Sequence, residues 1–243
     1  MHLKNLLAAV IQKIPPLYRQ INRIRKLRLH EPTLRREFQV LGSNYGGWAV
    51  PEGYLSADSI VYSVGVGTDI SFDLAVLKRY SCQLFAFDPT PNAVRFIEDS
   101  RLPANFNFLP IGLGTHDGTE KFFPPKTAGF DSFSQSSSGG NAEAGAITCE
   151  VLTFPSLKRG LGHEKVNLLK MDIEGFEYGV IQQILSSQTP KPGCILIEFH
   201  HGMYGIPAEK TNAAVDSLIQ GGYGIFWVSP IGREYGFLLN NPD

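Results

Sequence analysis

The sequence predicts an α/β fold: a three-layer αβα sandwich of parallel strands joined by helical crossovers and finished by an antiparallel hairpin. Three observations predict it. Apolar runs at 60–64, 83–87, 106–110, 166–171 and 194–199 are each too short for a globular helix and are bounded by Gly, Pro or Asp. Segments with apolar residues at helical spacing lie between several of them. The last two runs, 223–228 and 235–239, are joined at Pro230-Ile231-Gly232, a connection short enough for a hairpin.

Composition sets the frame for these elements. A chain of 243 residues, 43% of them hydrophobic, can bury a full core, and it fits one α/β domain with an extension better than two domains. Collagen-like, mucin-like and wholly disordered classes are excluded. The net charge of −1 hides an asymmetry. Lys4, Lys13, Arg19, Arg23, Arg25, Lys26, Arg28, Arg35 and Arg36 crowd the first forty residues against Glu31 and Glu37, so the remainder is acidic and no nucleic-acid partner is expected for it.

Leu3, Leu6, Leu7, Val10, Ile11 and Ile14, then after Pro15-Pro16 Leu17, Ile21, Ile24 and Leu27, give two amphipathic helices with a basic polar side. Residues 1–40 are therefore expected to be a helical extension, and 41–243 the catalytic domain. Two roles fit the extension: packing on the core or another subunit, or lying on an anionic membrane surface. No apolar run is long enough to span a bilayer, and the opening segment is not expected to be a signal peptide. Cys82, Cys149 and Cys194 show no metal-ligand spacing and read as free thiols, which suggests a reducing, cytoplasmic setting.

The first strand, 60–64, runs into Gly65 and Gly67, and a helix starting at Thr68 or Asp69 is expected to bury Ile70, Leu74 and Leu77. The second strand, 83–87, ends at Asp88, about 20 residues after the glycines, where nucleotide-binding folds place the carboxylate that accepts ribose hydroxyls. A dinucleotide fingerprint requires a third glycine three residues after the second, and Ile70 stands there. Asp69 also puts a negative charge where a pyrophosphate would approach. A nucleoside ligand carrying an ammonium and a sulfonium meets no such conflict, and S-adenosylmethionine is that ligand. An NAD-dependent oxidoreductase and a catalytically silent binding protein are the alternatives.

Along the rest of the chain, residues 42–53 read as an irregular loop whose Trp48 either covers a ligand or plugs the core edge. A second crossover helix is expected at 92–99, and Gly112 to Gly114 form the exit turn of the third strand, where backbone could flank an adenine ring. Strand-like runs at 119–123 and 147–152 flank a serine- and glycine-rich loop, 131–141, read as a lid or a surface insertion. Helices are expected through Val180, Ile181, Ile184 and Leu185, and from Pro207 to Gly221-Gly222.

The run Leu168-Leu169-Lys170-Met171-Asp172-Ile173-Glu174-Gly175-Phe176-Glu177 resembles the FkbM family of S-adenosylmethionine-dependent methyltransferases. So do Ser63-Val64-Gly65-Val66-Gly67 with Asp69, Phe87-Asp88-Pro89-Thr90-Pro91 and Ile197-Glu198-Phe199-His200, in the expected order over roughly residues 45 to 205. The resemblance implies a Rossmann-like class I methyltransferase sheet, mostly parallel, with seven strands of which the last is antiparallel. It also implies methylation of an oxygen, often a hydroxyl on a sugar, glycan or other small metabolite. Ser63 is a departure, because many class I methyltransferases carry an acid there.

Ligands of open α/β sheets sit beyond the carboxyl ends of the strands. The expected cofactor-binding residues are Ser63, Gly65, Gly67, Asp69, Asp88, Pro89, Gly112 and Asp172. Asp172, Glu174 and His200 are the candidates for removing a proton from the acceptor, His200 being favoured for its ordinary pKa near neutrality. Asp172 could instead cap the following helix, and Glu174 and Glu177 could simply favour its first turn. A divalent metal held by Asp172, Glu174 and His200 is possible in geometry, but their spacing does not demand one, so none is expected.

Overall fold

The computed structural model describes residues 28, 30–124 and 145–240. The helices expected within 1–27 and the serine-rich loop 131–141 lie outside the described residues. Seven strands form the main sheet: β3 (Ile60–Val64), β4 (Gln83–Phe87), β5 (Phe106–Leu109), β9 (Leu168–Met171), β10 (Cys194–Glu198), β11 (Tyr223–Val228) and β12 (Glu234–Leu239). Their spatial order is β11-β12-β10-β9-β3-β4-β5. β3 pairs in parallel with β4 and β9, β4 with β5, and β9 with β10, whereas β12 runs antiparallel to both β10 and β11. The parallel sheet closed by a C-terminal hairpin is the expected one.

Alternation along the strands divides the core into two faces. Tyr62, Val64, Leu169, Met171, Ile195 and Ile197 face one side with α3 (Phe154–Leu161), α4 (Glu177–Ser186) and α5 (Ala208–Gln220). Val61, Leu168, Cys194 and Leu196 face the other with α1 (Ser71–Tyr80), Ile97 of α2 (Pro91–Glu98) and Trp48. This makes three layers.

Local differences from expectation have local causes. α1 starts at Ser71 and buries Phe72, Asp73, Val76 and Leu77, while Leu74 is exposed. Ile70 and Leu77 are buried as expected, and Phe72 and Val76 take the inward place expected of Leu74. Residues 38–51 are ordered as an antiparallel pair, β1 (Phe38–Leu41) with β2 (Trp48–Pro51), and Trp48 is buried in the core. Gly112 and Leu113 form β6, a two-residue strand in a separate small sheet with β7 (Gly118–Phe122) and β8 (Ile147–Leu152). Helix α3 lies where the sequence predicts none; Thr153 caps it by accepting from the backbone N–H of Ser156, and Pro155 fits its first turn. Upstream of β1, the N–H groups of Thr33 and Leu34 donate to the carbonyl of Ile225, tying that segment to the sheet edge. Cys82, Cys149 and Cys194 are free thiols.

Candidate functional site

The site is built where β3, β4, β9 and β10 end. Gly65 turns the chain at φ +75°, and a Cβ there would lie 1.7 Å from the carbonyl oxygen of Asp172. Only glycine lets the turn after β3 lie against the segment after β9. Gly67, at φ +53°, differs: a Cβ built on it meets nothing within 4 Å, so the turn borders open space. Asp88, buried at the end of β4, accepts from the Gly67 N–H at 2.9 Å through Oδ2. Its Oδ1 accepts from the backbone N–H and hydroxyl of Thr90 at 2.9 and 2.6 Å. The second glycine and the carboxylate are thereby fixed to each other.

Asp69 lies two residues before α1. Oδ1 accepts from Ser71 N–H at 2.9 Å and Oδ2 from the Ser43 hydroxyl at 2.8 Å. Burial alone would raise its pKa, but the hydrogen bonds from Ser71 and Ser43 hold it below the ordinary range. A carboxylate bonded to an amide of the helix start excludes a pyrophosphate from that position and leaves a cationic ligand unopposed. The open ground above Gly67, the fixed Asp88 and the anionic Asp69 therefore fit S-adenosylmethionine and not a dinucleotide.

The remaining candidates are distributed around this turn. Ser63 is fully buried on β3, with its hydroxyl beside the carboxyl of Asp73. Pro89 follows Asp88, and its Cγ lies 3.4 Å from where a Cβ on Gly112 would stand, so the short β6 packs beside the β4 exit. Lys170, the charge within the apolar run of the family-like motif, is almost wholly buried in β9. Its Nζ donates to the carbonyl of Gly65 at 2.6 Å, lies 5.6 Å from the Trp48 ring and stands 3.9 Å from Asp172 Oδ2.

Beyond β9 and β10 the three proton-transfer candidates do come together. His200 Nε2 lies 3.6 Å from Asp172 Oδ1 and 3.2 Å from Glu174 Oε2. His200 Nδ1 lies 2.6 Å from Glu177 Oε1, and both residues are closed to solvent. Glu177 also accepts from the backbone N–H of Gly175 at 3.1 Å, so it is anchored before it holds the imidazole. The Tyr204 hydroxyl donates to Glu174 Oε2. Glu174 and Gly175 both have positive φ, 52° and 107°, which folds Glu174 back over the strand end. His201 is buried elsewhere, with Nδ1 at 3.4 Å from the Thr211 hydroxyl.

The electrostatics follow from this crowding. Burial pushes the pKa of Asp172 up, with Lys170 and His200 pulling against it. Burial and then the charge of Asp172 push Glu198 up to about 8. Burial alone would lower His200, but Glu177 and Glu174 outweigh it and place its pKa well above the ordinary value. The imidazole is not the unperturbed group that composition suggests.

No curated protein matches the chain. Among solved structures it is similar to an FkbM methyltransferase of Methylobacillus flagellatus KT, at 14% identity and TM-score 0.45 over 76% of this chain and 44% of that one. The chain thus spans less than half of that protein's length. It is also similar to a Methanococcus jannaschii fibrillarin pre-rRNA processing protein, at 11% identity and TM-score 0.46 over 76% of this chain and 68% of that one. A third similar structure is Aeropyrum pernix fibrillarin with natively bound S-adenosyl-L-methionine, at 12% identity and TM-score 0.44 over 88% and 84%. Residues 59–238, which carry the glycine turn, Asp88 and the whole acidic strand-end cluster, match the methyltransferase FkbM domain, and the chain belongs to that family of S-adenosylmethionine-dependent methyltransferases.

Proposed function

We propose that this methyltransferase acts on a hydroxyl oxygen of a small polyhydroxylated acceptor, a sugar, glycan or related metabolite. The observation that carries the reading is the convergence of Asp172, Glu174 and His200, with ligand atoms within 4.8 Å of one another, beside the glycine turn. When bound, S-adenosylmethionine supplies a methyl group made electrophilic by its sulfonium. Gly65, Gly67, Asp69 and Asp88 would hold it. The acceptor oxygen must be held in line with the methyl, and most of the rate can come from that alignment. As the new O–C bond forms, the C–S bond breaks with its electron pair left on sulfur. The hydroxyl proton has to leave, and the cluster is where this chain can accommodate that loss.

The acidic surroundings also favour a neutral acceptor over a phosphorylated one. The test is transfer of labelled methyl from S-adenosylmethionine into a fractionated cell extract, with the product identified by NMR. A methoxyl on a hydroxylated metabolite is expected. A label found on nitrogen or carbon would overturn the reading.

A further inference from the structure

We propose that Asp172, Glu174 and His200 form a divalent-cation site, through which the acceptor hydroxyl is held; the second half of this statement rests on the O-methylation reading, the first does not. The imidazole sets the arrangement apart from a patch of surface acids. His200 is 2% exposed, and its Nδ1 is committed to Glu177 Oε1 at 2.6 Å, so Nε2 is the ring atom presented to the two carboxylates. An imidazole fixed through one nitrogen by a buried carboxylate, with the other aimed at oxygen ligands, is how histidines are prepared to bind metals. Glu177 is fully buried and tied to Gly175 N–H, which suits a supporting role and not a ligand role.

The ligand atoms also sit on a stiff frame. Asp172 and His200 follow the paired strands β9 and β10, with Ile197 opposite Met171 at their ends. The Asp172 carboxylate faces the cluster with its cationic neighbours Lys170 and His200 at 3.9 and 3.6 Å, both beyond hydrogen-bonding distance. Three carboxylates, Asp172, Glu174 and Glu177, stand around His200, and the Lys170 ammonium stands beside Asp172. A divalent cation would balance these acids and take the place of a proton on His200 Nε2. Two carboxylate oxygens and one imidazole nitrogen suit a first-row divalent ion such as Mn2+ and leave coordination positions for an acceptor oxygen and water.

The experiment is a titration of the full-length chain with Mn2+, following free Mn2+ by EPR, with and without S-adenosylhomocysteine. One saturable site per chain is expected. Asp172→Asn, Glu174→Gln and His200→Gln should each weaken it more than tenfold, and Glu177→Gln by about 10- to 100-fold. Thermal melts identify any variant that has not folded; Glu174, whose side chain is 20% exposed, gives the variant least exposed to that risk. Absence of a saturable site in the wild type, or unchanged affinity in folded Glu174→Gln, overturns the cation site. Hydroxyl methylation by chelator-treated protein that takes up no Mn2+ removes the cation site and leaves the function standing. Mn2+ binding with the label on nitrogen or carbon removes the hydroxyl reading and leaves the cation site standing.

Discussion

Gly65 and Asp172 meet backbone to backbone: a Cβ on the first would stand 1.7 Å from the carbonyl oxygen of the second. That contact joins the glycine turn to the acidic strand end, and neither partner is a flexible side chain that could move aside. Gly65→Ala is therefore expected to cost more than about 2 kcal/mol, combining a left-handed backbone with an unrelieved clash. Gly67→Ala should cost only about 1 kcal/mol, since its Cβ enters open space. The same Cβ would project into the ground a nucleoside needs. Thermal melts with and without S-adenosylhomocysteine separate the two: a destabilised Gly65→Ala, and a stable Gly67→Ala with a reduced ligand shift. Equal melting temperatures for the two variants would contradict this account.

Asp88 has two duties, and substitution separates them. Asp88→Ala removes the acceptor for Gly67 N–H and for Thr90, leaving donors unpaired at a buried position at a cost of about 1–3 kcal/mol. It should also abolish the S-adenosylhomocysteine shift. Asp88→Glu retains the charge but displaces it by one methylene, and is expected to keep part of the shift. A full shift in Asp88→Ala would remove this residue from the cofactor site.

Much of the fold was legible because its determinants are local. The strands at 60–64 and 83–87 appear with the expected bounds. The hairpin follows from a short turn between two apolar runs. Asp172, Glu174 and His200 were recognisable as acids and a histidine at strand ends, and the structure brings them together. Less legible were groups whose role depends on partners distant in sequence. Glu177 reads as an ordinary first-turn acid until His200, 23 residues later, folds against it. Lys170 looks like a charge interrupting an apolar run, yet it is the donor that braces the Gly65 carbonyl. Helix α3 has a local start signal in Thr153-Phe154-Pro155-Ser156, but no long apolar period follows to mark it as a helix.

Tyr45 is 95% exposed on the loop between β1 and β2. That loop borders the site: Ser43 binds Asp69, and a Cβ on Gly46 would lie 2.7 Å from Asp69 Oδ2. A large aromatic ring left in water beside a ligand site is suited to stacking on an acceptor. Tyr45→Ala should raise KM for the acceptor several-fold with little change in the S-adenosylhomocysteine shift or the melting temperature. An unchanged acceptor KM would make the ring an ordinary exposed tyrosine.

Asp73 gives the prediction in which pH has a definite sign. It is 2% exposed on α1, and its Oδ1 has no hydrogen-bond partner. Burial pushes its pKa from 3.8 up to about 6, against the attraction of Lys170. Between those values the folded chain holds a proton that the unfolded chain has released. Stability should therefore fall as pH rises through this window, and above it the ionised carboxylate costs about 3 kcal/mol. Asp73→Asn keeps the shape and removes the charge. At pH 8 the variant should melt several degrees above the wild type, roughly 2–4 °C for each kcal/mol in a chain of this size. At pH 4, where Asp73 is protonated in the folded chain, the difference should shrink towards zero. A gap that is the same at both pH values would mean that Asp73 does not titrate in this window, and a variant less stable at pH 8 would show that Lys170 needs the Asp73 charge more than burial penalises it.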